Sequence, residues 1–319
     1  MALTKITNLG MGNTDAQNNV IMGSNAGDSF SGTDAEKNSL YGKDAGTTLT
    51  TGDENTGIGY GALASITTAS NNTALGSNAL VQASTGANNT AIGKDALKLT
   101  TTGTENSAGG QATLDANTTG IRNTAFGGSA LGANTTGNNN TAFGYAALQS
   151  NTTNHPNTAL GFSALSNSTG SNNVAVGYTS LFSNTSSNNN TAIGDYSAYS
   201  QTTGDRNTAL GYAALYTNTV GDRNVAIGHR SLYTMNPSSN ADTMNVAVGY
   251  ATLEATTTGT NNTASGGYAL QANTTGANNT AVGSNALVLN TTGDHNTGLG
   301  FQAADANTTG YDNTAAGSN

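Results

Sequence analysis

Asn72-Thr73-Ala74-Leu75-Gly76 returns seventeen residues later as Asn89-Thr90-Ala91-Ile92-Gly93, and the spacing persists along nearly the whole chain. The leading asparagines are Asn19, Asn38, Asn55, Asn72, Asn89, Asn106, Asn123, Asn140, Asn157, Asn173, Asn190, Asn207, Asn224, Asn245, Asn262, Asn279, Asn296 and Asn313. They open 18 variants of Asn-[Thr/Val]-Ala-apolar-Gly, and 14 of the 17 intervals are 17 residues, the others being 19, 16 and 21. A short fixed period means one unit stacked on itself, each copy touching only its neighbours. The expected fold is therefore all-β: a β-solenoid, or parallel β-roll, of about 18 coils over residues 19–319. Residues 1–18 lie off the lattice as an N-terminal cap or attachment segment.

With the leading Asn as position 0, position +1 is mostly Thr or Val, +2 Ala, +3 aliphatic or aromatic, and +4 Gly. Positions 0 to +4 read as a short strand, because β-branched residues suit a pleated surface. Alternation places +1 and +3 on one face and +2 on the other. The Gly at +4 implies a corner with positive φ or a close backbone approach. Leu stands at +8 in 13 of 17 complete coils, which predicts a second short strand over +6 to +9 that buries it. Asn-Thr-Thr-Gly at +11 to +14, as in Asn117–Gly120, reads as a return turn using left-handed φ. A helix is excluded by two or three Gly per coil and by the absence of a 3.6 period. Coils spaced about 4.8 Å apart would give a rod of roughly 80 Å. The position 0 residues, Asn72, Asn89, Asn106, Asn123, Asn140, Asn207, Asn224, Asn262 and Asn279 among them, are expected to form a hydrogen-bonded ladder. Two large apolar residues per coil make a thin core, which points to apolar surface buried against other chains.

Only 8% of residues are charged, against about 25% in ordinary soluble domains. Disorder usually pairs low hydrophobicity with high charge and lacks phased apolar positions, so the low charge fits an ordered repeat. The net charge is −9 and the nine Lys and Arg form no basic stripe, which gives nucleic-acid binding no footing. With no cysteine there is neither a disulfide framework nor a thiolate metal site. No apolar run reaches signal-peptide or membrane-span length, so membrane insertion is not expected.

The chemistry-bearing residues are sparse. Asp205 and Asp222 sit one coil apart beside Arg206 and Arg223, the pattern of a solvated ion ladder. No pocket is implied that would tune a carboxylate pair, so the chain is read as no enzyme, without cofactor or metal. His155, His229 and His295 fall in separate coils. Aromatics are more telling. Phe182, Tyr199, Tyr216 and Tyr233 occupy +9 in four successive coils, and Tyr178, Tyr212 and Tyr250 belong to a row at +5 that also holds Tyr145 and Phe162, with Asp195 and His229 in register. Such rows either stack on glycan rings, pack against a neighbouring chain or stabilise the coil itself. Thr-rich solenoid faces also bind ice, but adjacent pairs such as Thr135-Thr136 point to opposite sides. The four-residue insertion before Asn245 marks 233–243 as a surface loop, and a two-residue insertion lies between Gly23 and Asn38.

Asn173-Val174-Ala175-Val176-Gly177, Asn224-Val225-Ala226-Ile227-Gly228 and Asn245-Val246-Ala247-Val248-Gly249 resemble the head repeats of trimeric autotransporter adhesins. That resemblance implies a left-handed β-roll with three chains side by side. The coil here is longer than the family's, and the family's export signal and membrane anchor are not found in the sequence. Met1-Ala2-Leu3-Thr4-Lys5-Ile6 resembles the opening of phage tail-fibre and appendage proteins. The combined expectation is a non-enzymatic homotrimeric fibre, located in a virion as a tail fibre or appendage shaft. Residues 1–18 would contact other virion proteins, and the shaft would contact host glycans. The alternative is an extracellular or cell-surface adhesin or a self-stacking filament subunit, with an ice-binding solenoid behind it.

Overall fold

The computed structural model describes residues 17–30 and 34–318 and resolves them into two compact units that divide after Thr136. Each unit is a stack of in-register parallel rungs. The first carries seven three-residue strands from Val20–Met22 to Thr124–Phe126, and six parallel pairings join them in chain order. The second carries eleven, from Thr141–Phe143 to Thr314–Ala316, again paired in chain order. Among the described residues there is no helix. The N-terminal segment 1–18 read from the sequence lies almost wholly outside the described residues.

Every rung hands its main-chain bonds to the next. Thr73 N–H donates to Asn89 C=O at 2.9 Å, and Thr90 N–H to Asn106 C=O at 2.8 Å. The position 0 asparagines reinforce this exchange. Asn55 Oδ1 accepts from the Asn72 backbone N–H at 3.0 Å and the Asn72 side-chain nitrogen at 3.2 Å. The Asn72 amide nitrogen also donates to Gly86 C=O of its own coil at 3.0 Å. The pattern recurs at Asn89 and Asn106 in the first unit, and at Asn207, Asn224, Asn262 and Asn279 in the second. All these side chains are buried. An amide both donates and accepts, so one residue type repeated in register satisfies itself.

The core differs from the expected one. Ala at +2 is fully buried in almost every rung, as are Ala at +7 and Leu at +8. The +3 residues point outward: Ile92, Leu160 and Leu210 are 42%, 49% and 41% exposed. The expected second strand over +6 to +9 is absent. These residues form a turn in which Leu80, Leu97 and Leu215 take left-handed φ of 49–54°. The chain does bend at the two threonines of Asn-Thr-Thr-Gly, but without left-handed φ, and Asn117, Asn134, Asn273 and Asn290 are fully buried. They build a second ladder, with the Asn134 amide donating to Asn117 Oδ1 at 2.8 Å and the Asn290 amide to Asn273 Oδ1 at 3.0 Å. The left-handed turn residue lies instead just before position 0, as at Asn88 and Asn278.

The corner glycine meets both of its expected conditions. Gly93 has φ of 132°, and a Cβ built there would lie 2.4 Å from Gly110 O. The interior also trades volumes within a coil. Where +8 is Gly46, position +2 is Leu40, whose methyl would sit 2.7 Å from a Gly46 Cβ. In most other coils +2 is Ala and +8 is Leu, so the large side chain enters from the turn and not from the strand. Interval changes leave the ladder in register, since Asn245 N–H still reaches Asn224 Oδ1 at 3.1 Å across the 21-residue coil. The inserted residues 238–240 are exposed, and Ala241–Asp242 pairs with Gly221–Asp222.

Two substitutions probe this scheme. Asn89→Ala removes the acceptor of the Asn106 N–H and the donor to Gly103 C=O, and is expected to cost about 1–3 kcal/mol in urea denaturation. Gly93→Ala forces a methyl group onto a main-chain oxygen, so its denaturation midpoint should fall further than that of Asn89→Ala; a midpoint equal to the parent's would contradict the close stacking of the corners.

Candidate functional site

Both aromatic rows lie in the second unit, and their spacing follows from the rung. Residues one coil apart stand about 5 Å from each other, which is a ring-stacking distance. Phe182, Tyr199, Tyr216 and Tyr233 form one continuous stack, with centroids 5.5, 5.3 and 5.2 Å apart and planes within 9°. At +5, Tyr145, Phe162 and Tyr178 stack at 5.5 and 5.4 Å. Asp195 interrupts that row, its carboxylate accepting the Tyr178 N–H at 2.8 Å. The row resumes as Tyr212, His229 and Tyr250, each step 5.1 Å. The +9 rings are half-buried, whereas Tyr178, Tyr212 and Tyr250 are about half exposed. Within each stack the ring faces cover one another, so edges and phenol oxygens are what the rows present outward.

Tyr196 was not singled out by sequence, and it ties the rows together. Its ring meets Tyr178 and Tyr212 on one side and Tyr199 and Tyr216 on the other, at 5.4–6.4 Å and mostly edge-on. It stands at +6, a column of mostly small or polar residues, and its φ of 58° is left-handed. The available signal was Tyr196-Ser197-Ala198-Tyr199, two aromatics within one coil. Two coils on, Arg230 sits over the Tyr233 ring at 4.5 Å and pairs with Glu254 at 2.8 Å. Gln271 also donates to Glu254 at 2.8 Å.

Two shallow depressions flank Arg230. One, of about 220 Å³, is lined by Tyr196, Tyr212, Ala213, Tyr216, Arg230 and Tyr233. The other, of about 390 Å³, begins where the +9 aromatics end and runs past Glu254 and Gln271 to Leu289. His229 is part of a ring stack, while His155 and His295 lie in other coils. Among the described residues no group of three His, Asp or Glu side chains is placed to hold a metal ion. The turn threonines are engaged by the fold: Thr101 Oγ1 donates to Thr118 C=O at 3.2 Å, and Thr202 Oγ1 to Thr219 C=O at 3.0 Å.

Asp205 and Asp222 do stack, though not as a solvated ladder. Asp222 Oδ1 accepts the Asp205 N–H and Asp205 Oδ1 the Asn188 N–H, each at 2.6 Å. Asp222 is nearly buried, while Arg223 turns to Asp242. Burial, with Asp205 and Asp242 nearby, pushes the Asp222 carboxyl above the usual carboxylate range, although the Asp205 N–H and Arg206 favour the charged form. No protein family, curated protein or solved structure matches the chain.

A carboxyl with a raised folded-state pKa binds its proton more tightly when folded. Its contribution to stability therefore rises as pH falls through that value, and the ionised form weakens the fold at neutrality. Asp222→Asn keeps an oxygen acceptor for Asp205. It is expected to raise the urea midpoint at pH 7, with the gain shrinking towards pH 4; a gain that does not change with pH would remove the buried carboxylate as its source.

Proposed function

We propose that this chain is a non-enzymatic structural fibre protein, the shaft of a phage tail fibre or virion appendage, built from three parallel copies and touching host glycans through its aromatic rows. One observation carries the reading. The +3 column leaves large apolar side chains in water along one strand face, in the second unit Phe143, Leu160, Ile193, Leu210, Val248, Val282 and Leu299 at 36–49% exposure. The +1 and +3 columns contain no charged residue in any coil. Continuous apolar patches free of charge mark interfaces. The occupant that best fits a face of fixed period is another face of the same period, which favours a second copy of this chain. Three copies follow the resemblance to trimeric adhesin heads. Repetition then supplies a stiff spacer, and three sets of weak side contacts supply avidity.

Light scattering coupled to gel filtration should give three times the 31.7 kDa chain mass. Ile193→Lys with Leu210→Lys should reduce that mass to a single chain while the β circular-dichroism signal persists. A parent that runs as a monomer would overturn the oligomeric shaft, and open-ended growth would favour the self-stacking filament. Antibodies against residues 137–319 should decorate phage appendages in negative-stain images, and bare appendages would remove the virion placement.

A further inference from the structure

We infer that the slot between Tyr196 and Arg230 is a subsite for one carboxylate-bearing sugar residue. The inference rests on the glycan-contact reading above and narrows it to one place and one ligand class. The +6 backbone is the same in successive coils, with φ of 49° at Thr179, 58° at Tyr196, 51° at Ala213 and 55° at Arg230. Side-chain size alone therefore decides whether the space between the +5 and +9 rows is filled. Tyr196 fills it. Ala213 leaves it open for one rung, and Arg230 closes it again over Tyr233. The result is a shallow recess of about 220 Å³, with Ala213 in the open rung, Tyr212 from one row, and Tyr216 and Tyr233 from the other.

The lining selects the ligand. The lining residues carry four phenol hydroxyls and one guanidinium as their side-chain polar groups, and a guanidinium only donates. Tyr216 is stacked on both faces, by Tyr199 and by Tyr233, so it turns its edge to the slot. Ring edges carry the positive end of the aromatic quadrupole. Arg230 commits one amino nitrogen to Glu254 and has five donor hydrogens, so part of its planar fork is free for a carboxylate. Glu254 lines the neighbouring depression, not this one. A donor-rich, positive-edged slot the size of one ring complements an acidic pyranose better than a neutral one. The phenol hydroxyls are left to bond the sugar hydroxyls.

The test titrates the parent protein with glucuronate, N-acetylneuraminate, glucose and acetate, followed by saturation-transfer NMR. At least one acidic sugar should bind tenfold or more tightly than glucose or acetate. Ala213→Tyr extends the Tyr196 wall on a backbone that already holds Tyr at this position, and should abolish that binding. Arg230→Gln should reduce the acidic sugar to the level of glucose. Thermal melts monitored by circular dichroism confirm folding, and should Ala213→Tyr misfold, the Arg230 arm decides. Acetate binding as well as the acidic sugars, no preference over glucose, or undiminished binding by the folded variants would each overturn the subsite. On a glycan array, signal that survives Ala213→Tyr but is lost in Tyr145→Ala with Phe162→Ala removes the slot and leaves the glycan reading standing. No signal from the parent removes both.

Discussion

Register is the constraint from which the rest follows. Parallel rungs about 4.8 Å apart place each side chain on the equivalent side chain of the next coil. A residue type is therefore favoured in proportion to how well it tolerates its own image. Asparagine does so best among polar residues, because its carbonyl accepts what the next amide donates; hence the two buried ladders at 0 and +11. Aromatic rings tolerate it by stacking. Charge does not, since like charges facing across a ladder repel. The low charged fraction is thus a consequence of periodicity. Opposite signs meet in one column, Lys37 with Glu54 at 3.3 Å and Arg122 with Glu105 at 2.7 Å, and where like charges do follow one another, at Asp205 and Asp222, a backbone N–H separates the carboxylates.

The same constraint explains a backbone that looks costly residue by residue. Left-handed conformation in an L-residue costs roughly 1–2 kcal/mol, yet each coil holds two or three such residues, including leucines at +8. A coil that must close within seventeen residues and return to register has to turn sharply several times, and most of its glycines stand where a Cβ has little room. At Gly93 the obstacle is the oxygen of the next rung. At Leu97 the left-handed turn carries a side chain inward, where burial of about 1.5–3 kcal/mol offsets the strain.

Much of the fold was legible in the sequence because periodicity names the columns. Asn at 0, Gly at +4 and Leu at +8 each fell where their chemistry required. Which face of the strand points inward was not legible, since alternation distinguishes two faces without ranking them. Counting two large apolar residues per coil as core put the +3 residue beside Leu at +8. The coil interior is narrow, however, and once Leu enters from the turn only Ala fits opposite it. The exceptions make the point: where Leu40 takes the strand position, Gly46 replaces the turn leucine. Asn117 was misread because Asn suits both left-handed turns and buried ladders, and only the fold distinguishes them.

The site was less legible than the fold for a related reason. Regular columns advertise themselves, and Tyr199 and Tyr216 were visible as members of a row. Specific recognition, by contrast, requires convergent groups that differ from one another, and a perfect repeat cannot supply them on one face. It arises where the period is broken within a single column. At +6 the order Tyr196, Ala213, Arg230 gives a wall, a gap and a cation on three identical stretches of backbone. Rigid repetition fixes their spacing, and the departures from it supply the chemistry. In a solenoid of this kind, the irregular residues on the regular scaffold are therefore where function should be sought.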